Sequence, residues 1–395
     1  MAKYYEDEYE EERPRKKSSG GNRNGKRPSG KKSSGGKGSG KKASGRKEQA
    51  KKQRRRIIIF VAEIVVLVVA VFVLKGVLIT TQGGKMEIDE SDVIINDTVK
   101  EAQETTMKGY RNIALFGVDS TSGALTKNTR SDTIMIASIN QDTGECKLVS
   151  VYRDTYLNLS NDSYNKCNAA YAKGGPQMAI SMLNMNLDMN ITDFVTVGFA
   201  GLTDTVDALG GVYIEVDDSE ISHLNNYQLC IAEDLKRTYT PVTSTGYQLL
   251  DGLQATGYCR IRYTKGDDFK RAERQREVLA AVADQAKKAS LPKLTETANS
   301  VFEETYTSLD LTEIVQMLGE VNNYYISDNA GFPQESNRAT GTIGTKGSCV
   351  IPVSLEDNVK WLHQFLFNDY DYEPSATVKE CSEKIYSDTN GYLNK

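Results

Sequence analysis

Six arginines in four separate segments are the residues best suited to chemistry: Arg130, Arg153, Arg260, Arg262, Arg271 and Arg274. A guanidinium presents a planar fork that grips phosphate oxygens in pairs. Asp119 and Asp132 accompany them. A carboxylate has the wrong sign for a phosphate ligand unless a hard divalent cation bridges the two, and Mg²⁺ is held in that way by one or two carboxylates plus phosphate oxygens. The expected ligand is therefore a pyrophosphate or phosphodiester. Asp119 and Asp132 are the expected ligands of Mg²⁺, or of Mn²⁺. The reaction class is metal-assisted phosphoryl or glycosyl-phosphoryl transfer. The only histidines, His223 and His363, lie outside these segments, which argues against a histidine-based triad. There is no P-loop and no GxGxxG fingerprint.

These residues need elements that bring them together. NIALFGV ends in Asp119, and KLVSV runs into Tyr152-Arg153-Asp154. In open α/β sheets ligands sit at the carboxyl ends of strands. Arg130 and Asp132 stand two apart at the start of TIMIASI, so as strand residues they share a face. Arg260 and Arg262 repeat that spacing in CRIRYT. The next helix begins near Asp267-Asp268, a plausible cap, yet carries Lys270, Arg271 and Arg274 in its first turns. The helix dipole disfavours cations there, and a bound anion relieves the cost. Arg271, Arg274, Gln275, Val278 and Val282 form one stripe of this helix, apolar at its lower end. The bland alternative is a solvated basic face paired with Asp267, Asp268 and Glu273.

Apolar β-branched runs predict strands at Asn112–Val118, Thr133–Ile139, Lys147–Val151, Phe194–Val197, Val212–Val216 and Cys259–Tyr263. Helices are predicted at Pro176–Leu187, which opens on proline after two glycines, and at Gly201–Leu209, which stops at Gly210-Gly211. Gln248–Thr256 and Asp268–Lys288 complete the helical set, followed by a strand in SCVIPVS and a helix over Leu355–Phe367. Strands alternating with helices imply an α/β domain with helices on both faces of a sheet.

The charge is divided along the chain. Residues 1–56 hold 20 Lys and Arg against 7 Asp and Glu, a tail of +13; the remainder, with 29 against 46, carries −17. The Gly-, Ser- and Lys-rich composition of 1–56 predicts a disordered basic tail. Ile57 to Leu74 then forms an apolar run that spans about 27 Å as a helix. Arg54, Arg55 and Arg56 precede it, so a transmembrane helix over 57–79 would leave the N-terminus in the cytoplasm and the rest outside. Residues 80–107 read as an extracellular stalk and 371–395 as a polar C-terminal tail. An outside location permits disulfides among six Cys, with Cys349 and Cys381 the pair nearest the chain end.

RNIALFGVDS, TRSDTIMIASI, LVSVYRDTYL, NAAYAKGGP, FVTVGFAGLTDTVDALGGVYIEV, LDGLQATGYCRIRY and FKRAERQREVL occur in the order seen in the LytR-CpsA-Psr family. The chain resembles that family most strongly over residues 108–290. The resemblance implies a three-layer α/β/α domain with a mixed central sheet over 108–370, preceded by the transmembrane helix. It implies transfer of a polyprenyl-pyrophosphate-linked anionic glycopolymer, of teichoic acid or capsule type, to peptidoglycan as a phosphodiester, at the membrane and not on nucleic acid. Carried over by position, Asp119 and Asp132 are the metal ligands. Arg130, Arg153, Arg260, Arg262, Arg271, Arg274 and Gln275 bind the pyrophosphate. Arg153, Asp132 and Asp154 are the catalytic candidates, with Asp132 or Asp154 as base. The rival expectations are a polyprenyl (pyro)phosphate hydrolase and a non-catalytic regulator that binds wall polymers. Ser120-Thr121 and Gly198 depart from the family pattern, where a basic residue and Asn are common.

Overall fold

The computed structural model describes residues 84–393, apart from 120–124, 127 and 263. The strands are β1 Gly84–Lys85, β2 Tyr110–Val118, β3 Ser131–Asn140, β4 Glu145–Val151, β5 Tyr156–Asn158, β6 Tyr164–Lys166, β7 Asp193–Val197, β8 Val212–Val216, β9 Gly246–Leu250, β10 Thr305–Thr307, β11 Tyr325–Phe332, β12 Arg338–Thr342 and β13 Ser348–Pro352. The helices are α1 Asp97–Gln103, α2 Asn168–Leu187, α3 Phe199–Ala208, α4 Asp218–Leu235, α5 Gly252–Tyr258, α6 Asp267–Lys288, α7 Leu291–Val301, α8 Leu311–Gly319, α9 Leu355–Phe367 and α10 Ala376–Leu393.

Seven strands form one sheet in the order β1-β10-β7-β2-β3-β4-β11. It is mixed: β2 pairs antiparallel with β3 and parallel with β7, while β4 pairs antiparallel with β3 and parallel with β11. Alternation along β2 sends Ala114, Phe116 and Val118 into one large core with α2, α9 and α10. Leu115 points the other way, toward Ala137, Leu148 and Leu279 of α6. A third cluster joins α3, α4, α5, α6 and the antiparallel β8–β9 pair. Helices thus cover both faces of the central sheet.

Within α2 the helix breaks at Gly175 (φ 67°), whose Cβ would sit 2.6 Å from the Thr126 carbonyl oxygen. Pro176 then opens the second half, as its sequence position predicts.

Several expectations need correction. Cys259–Tyr263 is no strand: Cys259 caps α5, and residues 260–262 run as a turn and irregular backbone. Gln248–Thr256 divides into β9 and α5, because Asp251 accepts a hydrogen bond from the Gln254 amide and starts a new helix. The supposed stalk is part of the domain: β1 pairs with β10, and Val99, Ala102 and Met107 are buried in the main core. The supposed C-terminal tail is α10, which buries Val378, Cys381 and Ile385 in the same core. All six cysteines are free thiols, Cys349 and Cys381 included. The expected cytoplasmic tail (1–56) and transmembrane helix (57–79) lie outside the described residues. Among the described residues, no helix is long and apolar enough to cross a membrane.

Candidate active site

A cavity of about 710 Å³ opens between the sheet and helices α3 and α6. Its floor comes from the sheet face that carries Leu115, Thr133, Met135, Val195 and Val197. Its walls are Phe199 and Leu202 of α3 and Val278, Leu279 and Val282 of α6. One end is polar, where β2 ends just before Asp119, β3 starts at Ser131 and α6 begins. Asp119, Asp132, Arg130, Arg153, Arg260, Arg262, Arg271 and Gln275 all line this cavity. Sheet register explains part of the convergence. Val118 pairs with Ser131, and Met135 with Ser150, so the ends of β2 and β4 and the start of β3 meet at one edge.

The arginines are organised by carboxylates. Arg153 Nη1 donates to Asp132 Oδ1 at 2.7 Å. Asp268 is a hub: its oxygens lie 2.9 Å from Arg262 Nε, 3.2 Å from Arg271 Nη1 and 3.7 Å from Arg153 Nη2. Sequence reading offered Asp268 as a helix cap or as one partner of a solvated basic face, not as the centre of a cluster at the cavity. Gly266 (φ 101°) caps α6 instead, which leaves the Asp268 side chain to the arginines. The signal was available, since Arg271 follows Asp268 by three residues, one helical turn. Arg260 is held differently, with its guanidinium 4.4 Å from the Phe199 ring centroid and 5.3 Å from that of Tyr227.

Charge in this corner is only partly compensated. Burial lowers the pKa of Arg271, and the neighbouring Arg153 guanidinium lowers it further against the pull of Asp268 and Asp132. At Arg153 burial works against the charge, but Asp132, Asp268 and Asp154 outweigh it and raise the pKa. Nε of Arg153 and Nε of Arg271 are buried without a hydrogen-bond partner among the described residues. Buried guanidinium N–H groups of this kind call for an acceptor. Asp119 is exposed and Asp132 keeps one oxygen free of Arg153. Among the described residues no group of three or more His, Cys, Asp or Glu gathers as a self-sufficient metal cage. Two carboxylates beside an anion cavity fit a Mg²⁺ that draws its remaining ligands from phosphate and water.

Two expected site residues do not line this cavity. Arg274 turns away from the cavity into a buried pair with Glu220, Nε to Oε1 at 2.7 Å, and also donates to the Ile261 carbonyl and Thr264 Oγ1. Stripe arithmetic put it with Arg271, but it sits on the flank of that stripe, where Glu220 of α4 claims it. Asp154 does not line the large cavity but a small pocket adjoining it, with Asp132, Arg153, Arg271 and Gln275; its Oδ1 lies 3.2 Å from Lys166 Nζ and its Oδ2 3.9 Å from Arg153 Nε. Cys259 does line it, but burial pushes its thiol up to about 12, so it is no thiolate nucleophile.

Comparison with known proteins agrees with this geometry. The LytR_cpsA_psr family model matches residues 78–338. The chain is 32% identical over 173 residues to the polyisoprenyl-teichoic acid–peptidoglycan teichoic acid transferase TagU of Enterococcus faecalis, covering 43% of this chain and 52% of that one. It is 33% identical over 182 residues to biofilm regulatory protein A of Streptococcus mutans, covering 43% of each. It therefore spans about half the length of the curated relatives it matches. The crystal structure of Bacillus subtilis TagV superposes with a TM-score of 0.52 at 25% identity, over 68% of this chain and 99% of that one. A mixed central sheet with a cavity of this kind, a matching solved fold and a family model that covers most of the chain lead to one statement: the chain belongs to the LytR-CpsA-Psr family.

Proposed function

We propose that the protein transfers an anionic glycopolymer from a polyprenyl pyrophosphate carrier to peptidoglycan, forming a phosphodiester. The observation that carries this reading is the shape of one cavity: an apolar tunnel beside α6 that ends in five arginines. From Arg271 to Val282 the helix offers about 16 Å of wall, the first turns cationic and the rest apolar. Such a gradient suits a molecule with a hydrocarbon tail and a diphosphate head. The names of relatives such as TagU support the same substrate class.

In the proposed reaction a hydroxyl of the acceptor attacks the phosphorus that bears the glycopolymer. The P–O bond to the second phosphate breaks, and polyprenyl phosphate leaves with the electron pair. Asp132 takes the hydroxyl proton. Arg153 and Arg271 stabilise the charge that grows on the bridging oxygen, and their unpartnered Nε–H groups suit that task. Arg130, Arg260 and Arg262 hold the outer oxygens, and Gln275 lies at the tail side of the head group. Asp119 and Asp132 would hold a Mg²⁺, which when bound neutralises phosphate charge. We place the working domain outside a membrane to which residues 57–79 anchor it.

The test uses the full-length chain in detergent with a lipid-linked polymer and soluble peptidoglycan strands. Polymer joined covalently to the strands is the expected result. Polymer released into water would make the protein a hydrolase, and binding without turnover would make it a regulator.

A further inference from the structure

Helix α6 has a second working face. Arg271, Gln275, Val278 and Val282 look into the cavity described above, whereas Phe269, Glu273 and Arg276, at i, i+4 and i+7, lie on the opposite side. There they line a separate cavity of about 460 Å³, closed by Tyr152, by residues 330–338 and by Trp361 of α9. Arg276 is 92% buried, with 8% of its surface exposed. Its Nε donates to Asn329 Oδ1 at 2.7 Å, but its Nη1 has no hydrogen-bond partner among the described residues. Arg338 stacks on Phe269, 3.9 Å from its centroid, and donates to the Tyr152 hydroxyl. Among the described residues neither arginine forms an ion pair with a carboxylate. Gly331 lets the Tyr152 ring close this wall, since a Cβ there would lie 1.9 Å from the tyrosine oxygen.

Burial opposes the charge of Arg276, Tyr152, Glu273 and Glu277 support it only from a distance, and neither guanidinium has an ion-paired carboxylate among the described residues, so the pair calls for an anion. The same cavity carries Glu273, tied to Lys270 at 2.9 Å, and the exposed Glu335. A uniform polyanion such as a polyol phosphate would meet those carboxylates and be repelled. A ligand with both carboxylate and ammonium groups would not. Trp361 and Phe269 add aromatic surface of the sort that packs on sugar faces. We propose that this cavity binds a peptide-bearing glycan strand, a stretch of peptidoglycan, with a stem-peptide carboxylate on Arg276 and Arg338 and an amino group near Glu335. The identification of that strand as the acceptor rests on the transferase reading. The cavity lies beside the first turns of α6, the same end at which the arginines of the first cavity gather.

The experiment titrates full-length protein in detergent with two probes, a soluble uncross-linked peptidoglycan strand and geranylgeranyl pyrophosphate. Arg276→Met and Arg338→Gln should each weaken strand binding by about tenfold or more, the loss expected for a charge-assisted hydrogen bond. Their affinity for geranylgeranyl pyrophosphate should stay within about twofold of the parent, because Arg276 and Arg338 do not reach the first cavity. Arg338 is only partly buried, so its variant remains informative if Arg276→Met fails to fold. Unchanged strand affinity in the folded variants, or no strand binding by the parent, overturns the proposal. So does a glycerol-phosphate polymer that binds the parent and is weakened equally by both substitutions. Failure of the transferase reading would show separately, as geranylgeranyl pyrophosphate binding that is absent or indifferent to Arg153→Ala.

Discussion

Arg153, half-buried, and Arg274, fully buried, both have acidic partners, yet they predict opposite outcomes. Arg153 touches the cavity and shares Asp132. Replacing either Arg153 or Asp132 with alanine should cut transfer by at least about a hundredfold, the scale of losing one preorganised charge-stabilising group. Circular dichroism should show folding retained, since each lies at an open cavity rim. Arg274 and Glu220 are 1% and 3% exposed, so Arg274→Ala strands a buried carboxylate. Urea unfolding of Arg274→Ala should show a loss of about 3–5 kcal/mol. The paired change Arg274→Met with Glu220→Leu should recover much of it, because no charge is left behind. The sequence could name six arginines but could not separate these roles. What separates them is a carboxylate on a distant helix, Glu220, which no spacing rule connects to position 274.

At the scale of elements, α6 is the organising piece. Its apolar stripe forms the tunnel wall, so Val278→Trp should fill the space beyond the arginines. Affinity for long prenyl pyrophosphates should fall by about tenfold or more, while inorganic pyrophosphate binding stays near the parent value; isothermal titration of both ligands reads the difference. Most strands of the sheet were legible, because runs such as IALFGV and TIMIASI are short, apolar and rich in β-branched or aromatic residues, as strands covered on both faces must be. CRIRY deceived for the same reason. Its Ile261 is fully buried, but the segment follows the C-cap of α5 and is held by turn hydrogen bonds, not by a neighbouring strand. α10 escaped notice because its polar residues outnumber the three side chains, Val378, Cys381 and Ile385, that fix it to the core. β11 was missed too, since YISDNAGF lies at the sheet edge and is mostly half-buried or exposed.

For the whole molecule, a fully buried histidine makes part of the stability depend on pH. His363 lies against Tyr372, ring centroids 3.5 Å apart, with Nε2 at 3.1 Å from the Leu187 carbonyl oxygen. Burial lowers its pKa to about 4, against partial support from the Leu187 carbonyl, Asp188 and Asp369. The folded state therefore holds a neutral ring where the unfolded chain takes up a proton near pH 6.5. Stability is full above that pH and falls as pH drops toward 4, by roughly 3 kcal/mol from this group. Urea midpoints measured from pH 7 to pH 4.5 should fall more steeply for the parent than for His363→Gln. Around that histidine the two ends of the described chain are stitched together. Asn96 Nδ2 donates to Asp188 Oδ1 and to Ser375 Oγ, a contact across 279 positions. A nascent chain cannot make the Asn96–Ser375 contact until residue 375 has been synthesised. A chain stopped at residue 375 should therefore expose the apolar surface that α10 covers.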